Sequence, residues 1–191
     1  MLTQKTKIVE LARSALDFGR QNRMTCEILL MPWVLLGILA ILWGKLLDST
    51  HSFSTFQDNV FLNHPLFYFI SHTFSSGEWP YWINSILGGF PIYTNPLISI
   101  FYPFYFFHFG LYQSPLEVIT QLHYVVLFHI VVLHFNTYVL LRILRLPILA
   151  SLVGATVFAL SANTITYAYS VDIISPYVWF PLAIGSLVLL L

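Results

Sequence analysis

The stretch VITQLHYVVLFHIVVLHFNTYVLL, residues 118–141, decides the fold class of this chain. It holds 24 residues, and none of them is Asp, Glu, Lys or Arg. A helix needs about 20 mostly apolar residues to cross the hydrocarbon core of a membrane, because that core is about 30 Å thick and each residue adds 1.5 Å. The stretch therefore predicts a transmembrane helix.

The composition of the whole chain agrees with this prediction. Of its 191 residues, 58% are hydrophobic and only 8% are charged, whereas about 25% of the residues of a soluble domain are charged. So little charge cannot cover a water-exposed surface, which excludes a soluble enzyme, a nucleic-acid-binding domain and a disordered tail. The single cysteine, Cys26, excludes a disulfide framework and a multi-thiolate metal site. The chain is predicted to be an all-α polytopic membrane protein.

Three further apolar stretches complete the predicted set of spans. They cover residues 28–47, 148–169 and 177–191. The last stretch is still apolar at Leu191 but has only about 15 residues, which are too few to cross. We interpret it as a truncated fourth helix, after three full ones, and expect the chain to be a fragment or the product of an early-terminated gene.

The positions of Lys and Arg predict the orientation. Residues 1–27 contain five of the eight basic residues, Arg142 and Arg145 follow the second span, and none lies between Leu46 and Leu141. Basic flanks stay in the cytoplasm. Residues 1–27 are therefore predicted to form a cytoplasmic amphipathic tail, and residues 48–117 to form an extracytoplasmic loop.

This loop is rich in aromatic residues and proline. It holds 20 of the 33 aromatic residues and six of the ten prolines, a composition that packs against protein or lipid. Pro65 and Gly77 suit the first and last positions of an interfacial helix. Residues 96–111 are too few to span and suit a re-entrant or interfacial helix with a kink at Pro103. The loop is predicted to be a folded platform.

Two carboxylates in the loop are candidates for chemistry. Asp58 and Glu78 lie among aromatic residues, where a carboxylate loses solvation and can serve as a general base or a metal ligand. The alternative is a pair of solvated, hydrogen-bonded loop acids. Glu117 and Asp172 lie at the ends of predicted spans and are interpreted as solvated boundary acids.

The histidines do not predict a metal site. His123, His129 and His134 follow one another in the second span at spacings of six and five, and no pair shows the i, i+4 spacing of a helical metal site. They are predicted to be buried and hydrogen-bonded. Hydrogen bonds between helices are also predicted for the polar residues of the third span, Asn163, Thr164 and Thr166.

The motifs of the loop resemble those of a known family. Asp58 and Pro65 are followed by GEWPYWIN at 77–84, GGFP at 88–91 and Tyr102-Pro103. This order is similar to that of the YfhO-like bacterial membrane proteins, in which an acidic residue after the first span precedes a loop of proline, aromatic and glycine motifs. The run WFPL at 179–182 is similar to their fourth span.

The resemblance implies a glycosyltransferase of the GT-C class with many spans and an active site outside the cytoplasm. It implies a polyprenyl-phosphate sugar donor, an envelope glycan or lipid as acceptor, no nucleic acid, and the bacterial cytoplasmic (inner) membrane. Asp58 occupies the position implied for acceptor activation or metal binding, and Glu78 is the second catalytic candidate. The candidate substrate-binding residues are His64, His72, Trp79, Tyr81, Trp82 and Asn84.

Several points stay open at this stage. No metal ligand is assigned, and a divalent metal cation is an open choice of cofactor. The loop has no Lys or Arg to hold a phosphate, so a metal, a histidine or a further part of the protein must supply that charge. The alternative functions are a non-catalytic membrane subunit whose aromatic loop docks a partner, and a transporter or lipid-binding protein.

Overall fold

The computed structural model describes residues 26, 27, 30, 31, 33–38, 40, 41, 44, 58–85, 88–94, 99–106 and 114–191. The described part of the chain is mostly helical. Its residues between 26 and 41 are helical. Most of the predicted cytoplasmic tail, residues 1–25, lies outside the described residues.

Helices follow one another through the rest of the described chain. They are α1 (His64–Ser75), α2 (Pro103–Phe106), α3 (Pro115–Ile143), α4 (Ile148–Ala159), α5 (Ala162–Ala168), α6 (Val171–Tyr177) and α7 (Phe180–Leu190). A π-helix, Asn59–Asn63, leads directly into α1. Two short strands, β1 (Trp82–Ile83) and β2 (Phe90–Pro91), pair antiparallel between α1 and α2.

Helix α3 lies at the centre of the core. It begins with a capping box, in which the Ser114 hydroxyl accepts from the Glu117 backbone N–H and the Glu117 carboxylate accepts from the Ser114 N–H. Each contact satisfies an N–H group that the first turn leaves without a helical partner. The buried face of α3 packs in one apolar cluster with Ala159 of α4, Ala168 of α5 and Ile174 of α6. The helix predicted over residues 118–141 is confirmed.

Two of the helical stretches are long and apolar enough to cross a membrane. They are Pro115–Ile143 and Val171–Leu190, which combines α6 and α7. The second has 20 residues, because it begins at Val171 and not at the predicted position 177. The pair of α4 and α5 makes a third candidate span if its two halves are counted together. These counts refer to the described residues.

The third predicted span is bent rather than straight. Helices α4 and α5 meet at an angle of 48°. The Ser161 hydroxyl caps α5 by accepting from the Thr164 N–H, and the Thr164 hydroxyl donates to the carbonyl of Phe158 at the end of α4. The Thr166 hydroxyl donates within its own helix, to Ala162, so the predicted bond between helices is wrong for Thr166. The side chain of Asn163 is exposed.

Helix α1 follows the prediction, whereas the helix predicted over 96–111 falls only partly within the described residues. Gly77, with a φ of +81°, ends the turn after α1 in a conformation that glycine adopts without strain. Within the described residues 99–106, only Pro103–Phe106 is helical. Pro103 begins this helix instead of kinking a longer one, because a tight turn that places the Tyr102 N–H 2.7 Å from the Ser99 carbonyl comes before it.

The histidines of α3 are buried, as predicted. One ring nitrogen of His129 lies 2.6 Å from the Val125 carbonyl, and the other lies 3.0 Å from the hydroxyl of Tyr102. His134 contacts the Thr156 hydroxyl of α4 at 3.2 Å. Hydrogen bonding is therefore confirmed for both residues, and these contacts join α3 to α4 and to the turn before α2.

An ion pair joins the start of the described chain to the end of α3. The Arg142 guanidinium lies 3.3 Å from the Glu27 carboxylate, and side-chain exposures of 22% and 13% leave little water around the pair. The Tyr138 hydroxyl donates to the same carboxylate at 3.2 Å. Arg142 also donates to the Leu146 carbonyl at 2.7 Å, which satisfies a backbone group just beyond the helix.

Replacing Arg142 with Gln tests this pair. We expect Arg142→Gln to lower the free energy of unfolding by about 2 kcal/mol, because the Glu27 carboxylate then stays buried without its cation. Thermal unfolding of the chain in lipid nanodiscs measures the loss. Arg145→Gln is the matched control, since Arg145 is exposed and forms no ion pair with any described residue. Equal losses in the two variants would contradict a stabilising role for the pair.

Candidate active site

The candidate active site forms where the residues before α1 meet the connection between α5 and α6. Asp58 directly precedes the π-helix, and its side chain is exposed. Its Oδ2 atom accepts a hydrogen bond of 3.2 Å from the hydroxyl of Ser170. The same hydroxyl donates to Oδ1 of Asp172 at 2.6 Å. Two carboxylates distant in sequence therefore share one serine hydroxyl.

Asn59 fixes the position of this carboxylate pair. Its side-chain amide donates to the Ala168 carbonyl at 3.1 Å, and its amide oxygen accepts from the Val171 N–H at 2.9 Å. Its own backbone N–H donates to the Tyr169 carbonyl at 3.3 Å. Asn59 is fully buried. It thus satisfies backbone groups that lie between α5 and α6 and lack helical partners.

Asn63, one turn further along the chain, supports the second carboxylate. Its amide lies 3.1 Å from Oδ1 of Asn59 and 3.2 Å from Oδ1 of Asp172. Asn63 is also buried. Both asparagines lie in the π-helix, a widened turn that is frequent at functional sites. Asp172 is half-buried and accepts from Asn63 and Ser170, so its interpretation as a solvated boundary acid is wrong.

The single hydrogen of the Ser170 hydroxyl gives the two carboxylates different surroundings. A hydroxyl donates to one acceptor at a time, and its contact with Asp172, at 2.6 Å, is shorter than its contact with Asp58, at 3.2 Å. Asp172 also has the Asn63 amide as a donor. Asp58 is therefore the carboxylate with more acceptor capacity left for a molecule from outside. An exposed carboxylate of this kind can take a proton from a hydroxyl group.

Tyr105 of α2 supports the same region from the other side of α6. Its hydroxyl donates to the Val171 carbonyl at 2.8 Å and contacts the hydroxyl of Ser175. Burial raises the pKa of Tyr105, because an apolar environment disfavours the phenolate. The phenol therefore stays protonated and remains a hydrogen-bond donor to the first turn of α6.

Tyr102, just before α2, links three parts of the chain. The Trp179 indole N–H donates to the Tyr102 hydroxyl at 3.0 Å. Since indole is only a donor, the phenol uses its own hydrogen for the 3.0 Å contact with Nε2 of His129. Nδ1 of His129 then carries the hydrogen that faces the Val125 carbonyl at 2.6 Å. The network holds Tyr102 against α3 and α7.

Glu78, the second catalytic candidate, is not joined to this site. It follows Gly77 in the turn after α1, its side chain is exposed, and its backbone N–H donates to the Thr73 carbonyl at 3.1 Å. No hydrogen bond or ion pair between described residues connects Glu78 to Asp58. The carboxylate that the fold places beside Asp58 is Asp172.

The predicted substrate-binding aromatics form an exposed row. Ring contacts run from Phe74 to Trp79 at 5.2 Å, from Trp79 to Tyr81 at 6.5 Å and from Tyr81 to Tyr93 at 6.0 Å. Trp79 and Tyr81 are 49% and 61% exposed. Trp82 is also exposed, and its indole packs against Gly89, where a Cβ atom would lie only 2.7 Å from the ring nitrogen. We call the four residues Phe74, Trp79, Tyr81 and Tyr93 the aromatic row.

The polar substrate-binding candidates lie in different surroundings. The His64 ring lies 2.9 Å from the Pro115 carbonyl at the start of α3, which joins α1 to α3. His72 is exposed and stacks on Tyr68, with ring centroids 6.1 Å apart. Asn84 is exposed after β1. Of these three, His72 and Asn84 are accessible, whereas His64 has a structural partner.

Four residues of the candidate site were not among the predicted site residues. They are Asn59, Asn63, Ser170 and Asp172. The two asparagines lie four residues apart beside Asp58, a spacing that places both on one helical face. This spacing was a local signal that could have identified them as site residues. The contacts to Ser170 and Asp172 span more than 100 residues, and no pattern within either segment encodes them.

The described residues do not assemble a metal site of the usual kind. No three His, Cys, Asp or Glu side chains among them come together in a way that could hold a metal ion. Asp58 and Asp172 supply only two carboxylates.

No family model, curated protein or solved structure matches this chain. The similarity to YfhO-like proteins accordingly rests on the motifs between Asp58 and Pro103 and on the run at 179–182.

Removing the Asn59 side chain tests the contact that holds the site together. We expect Asn59→Ala to speed hydrogen–deuterium exchange of residues 168–175 by about tenfold, because the Val171 N–H and the Ala168 carbonyl lose their partner. Mass spectrometry of peptides from the exchanged protein measures this. Asn84→Ala, the same change at an exposed position, leaves the exchange of that segment unchanged. No difference between the two variants would show that Asn59 does not fix the segment.

Proposed function

We propose that this chain is the N-terminal part of an integral membrane glycosyltransferase. In this proposal it moves a sugar from a polyprenyl-phosphate donor to a cell-envelope acceptor, on the extracytoplasmic side of the bacterial cytoplasmic membrane. The observation that carries the proposal is the contact of Asp58 with Ser170, whose hydroxyl also contacts Asp172. It gives the loop carboxylate singled out by the motifs a fixed position and an open face.

The reaction assigned to Asp58 is general-base catalysis. The carboxylate takes the proton of an acceptor hydroxyl while the hydroxyl oxygen attacks the anomeric carbon of the donor sugar. The bond from that carbon to the phosphate oxygen breaks, and the lipid phosphate leaves with the electron pair and its negative charge. A new glycosidic bond joins sugar and acceptor, and the proton ends on Asp58.

Asp172 and Ser170 act in this scheme as positioning residues. Asp172 is held by Asn63 and orients the Ser170 hydroxyl, which in turn contacts Asp58 at 3.2 Å. Catalytic groups work only when they are held close to the productive geometry. Because residues 48–117 contain no Lys or Arg, we assign stabilisation of the leaving phosphate to a metal, a histidine or a further part of the protein.

One observation favours a different function. The aromatic row is contiguous, and three of its rings, those of Trp79, Tyr81 and Tyr93, are exposed. Exposed aromatic residues are common in surfaces that dock other proteins. A non-catalytic subunit would use this row to bind a partner enzyme. Such a protein would be insensitive to changes at Asp58, and the two functions therefore separate in a single experiment.

The direct test replaces Asp58 in the protein expressed from its complete gene. We expect Asp58→Asn to lower sugar transfer by at least about a hundredfold without lowering the amount of protein in the membrane, because asparagine keeps the shape but cannot accept the proton. Transfer is measured as incorporation of labelled sugar from a polyprenyl-phosphate donor into envelope material.

Three further variants accompany this test. Glu117→Gln is the matched control and retains transfer, since Glu117 caps α3 at an exposed position. Asp172→Asn lowers transfer more than Glu78→Gln does if Asp172 positions Asp58. Full transfer by Asp58→Asn would contradict the catalytic assignment and favour the subunit.

A further inference from the structure

A groove lies at the end of the aromatic row, in a part of the chain that the motifs did not single out for binding. Its volume is about 420 Å³, within the range of about 300–1,000 Å³ typical of small-molecule sites. It is lined by Tyr93, Thr94, Ser99, Ile100, Phe101, Tyr102 and Pro103. None of these seven residues carries a charge.

The lining combines aromatic rings with hydroxyl groups. Tyr93 and Phe101 are 51% and 67% exposed, so their ring faces are open to a ligand. Thr94 donates its hydroxyl hydrogen to the Pro91 carbonyl at 3.2 Å, and its oxygen keeps acceptor capacity. An uncharged pyranose ring has the matching chemistry, since its C–H face packs on aromatic carbon and its hydroxyls form hydrogen bonds.

Two of the lining residues have a defined local conformation. Tyr102 is fixed by Trp179 on one side and by His129 on the other. Ser99 has a φ of +44°, a left-handed conformation that non-glycine residues adopt at a cost and that clusters at binding sites. A preformed site loses less entropy on binding than a flexible one.

The same segment connects the groove to the carboxylate pair. The rings of Tyr102, in the groove, and Tyr105, in α2, are 4.8 Å apart. The Tyr105 hydroxyl donates to the Val171 carbonyl, and the Val171 N–H donates to Asn59, the neighbour of Asp58. The groove and the candidate base are thus built on one hydrogen-bonded scaffold.

We propose that this groove binds an uncharged pyranose unit of the acceptor glycan. The assignment to the acceptor rests on the proposed function, because the donor carries a phosphate and the groove offers no cation to meet it. An acyl chain fits less well, since it forms no hydrogen bond with the Thr94 hydroxyl oxygen, which keeps acceptor capacity. Binding of the sugar itself does not require the transfer reaction and depends only on the residues that line the groove.

The test uses the whole chain in phosphatidylcholine nanodiscs, free of sugar-based detergent. Saturation-transfer NMR measures binding of methyl β-D-glucopyranoside, methyl β-D-galactopyranoside and methyl α-D-mannopyranoside, with glucuronate and glucose 6-phosphate as charged comparisons. We expect at least one neutral glycoside to bind and the charged sugars to bind more weakly. Phe101→Ala weakens that binding by about tenfold, because the glycoside loses a stacking face.

Four further variants make the result decisive. Phe61→Ala, at an exposed ring outside the groove, leaves binding unchanged. Tyr93→Phe keeps the ring and weakens binding less than Tyr93→Ala, which separates a lost contact from a lost fold. Asp58→Asn keeps full binding, so a failed transfer reaction and a failed groove give different results. Neutral glycosides that give no more signal than empty nanodiscs, or charged sugars that bind as well, would overturn the proposal.

Discussion

The buried amide of Asn59 is the contact on which the candidate site depends. It binds the Ala168 carbonyl and the Val171 N–H, which are 109 and 112 residues away in sequence. Contacts between apolar helices alone allow rotation and sliding, whereas a buried amide that is paired through both its oxygen and its nitrogen permits one register. The position of Asn59 sets the position of Asp58, because the two residues are adjacent in the chain. The position of Asp172 is set as well, because its neighbour Val171 is held by Asn59.

A second set of polar contacts connects the Asn59 region to the helices of the core. Tyr105 binds the carbonyl of the same Val171, and Tyr102 joins Trp179 to His129 of the central helix α3. Each of these groups would be costly to bury alone, so each contact both satisfies a polar atom and aligns two segments. One connected set of hydrogen bonds therefore holds the carboxylate pair, the turn before α2 and the groove. This is the physical reason to treat them as parts of one site.

The features that could be predicted from the sequence are local ones. The apolar run at 118–141 and the Pro65 and Gly77 boundaries of α1 depend on neighbouring residues, and they are found in the structure. The bend between α4 and α5 was missed because the apolar pattern continues past Ser161, whose cap breaks the helix. The approach of Asp58 and Asp172 to the same Ser170 hydroxyl could not be predicted, since it needs a π-helix on one side and a break between helices on the other. Single-sequence patterns contain no signal for the meeting of such distant segments.

The short distance between positions 58 and 172 is tested most directly by cross-linking. Cys26 is the chain's single cysteine, so a Cys26→Ser background carrying Asp58→Cys and Asp172→Cys places one thiol at each position. Both carboxylates contact Ser170, which puts their nearest oxygens no more than about 6 Å apart. The account predicts rapid, near-complete linkage by a short bis-methanethiosulfonate in membranes, and little linkage when Glu78→Cys replaces Asp58→Cys. Equal linkage of both pairs, or none between positions 58 and 172, would contradict it.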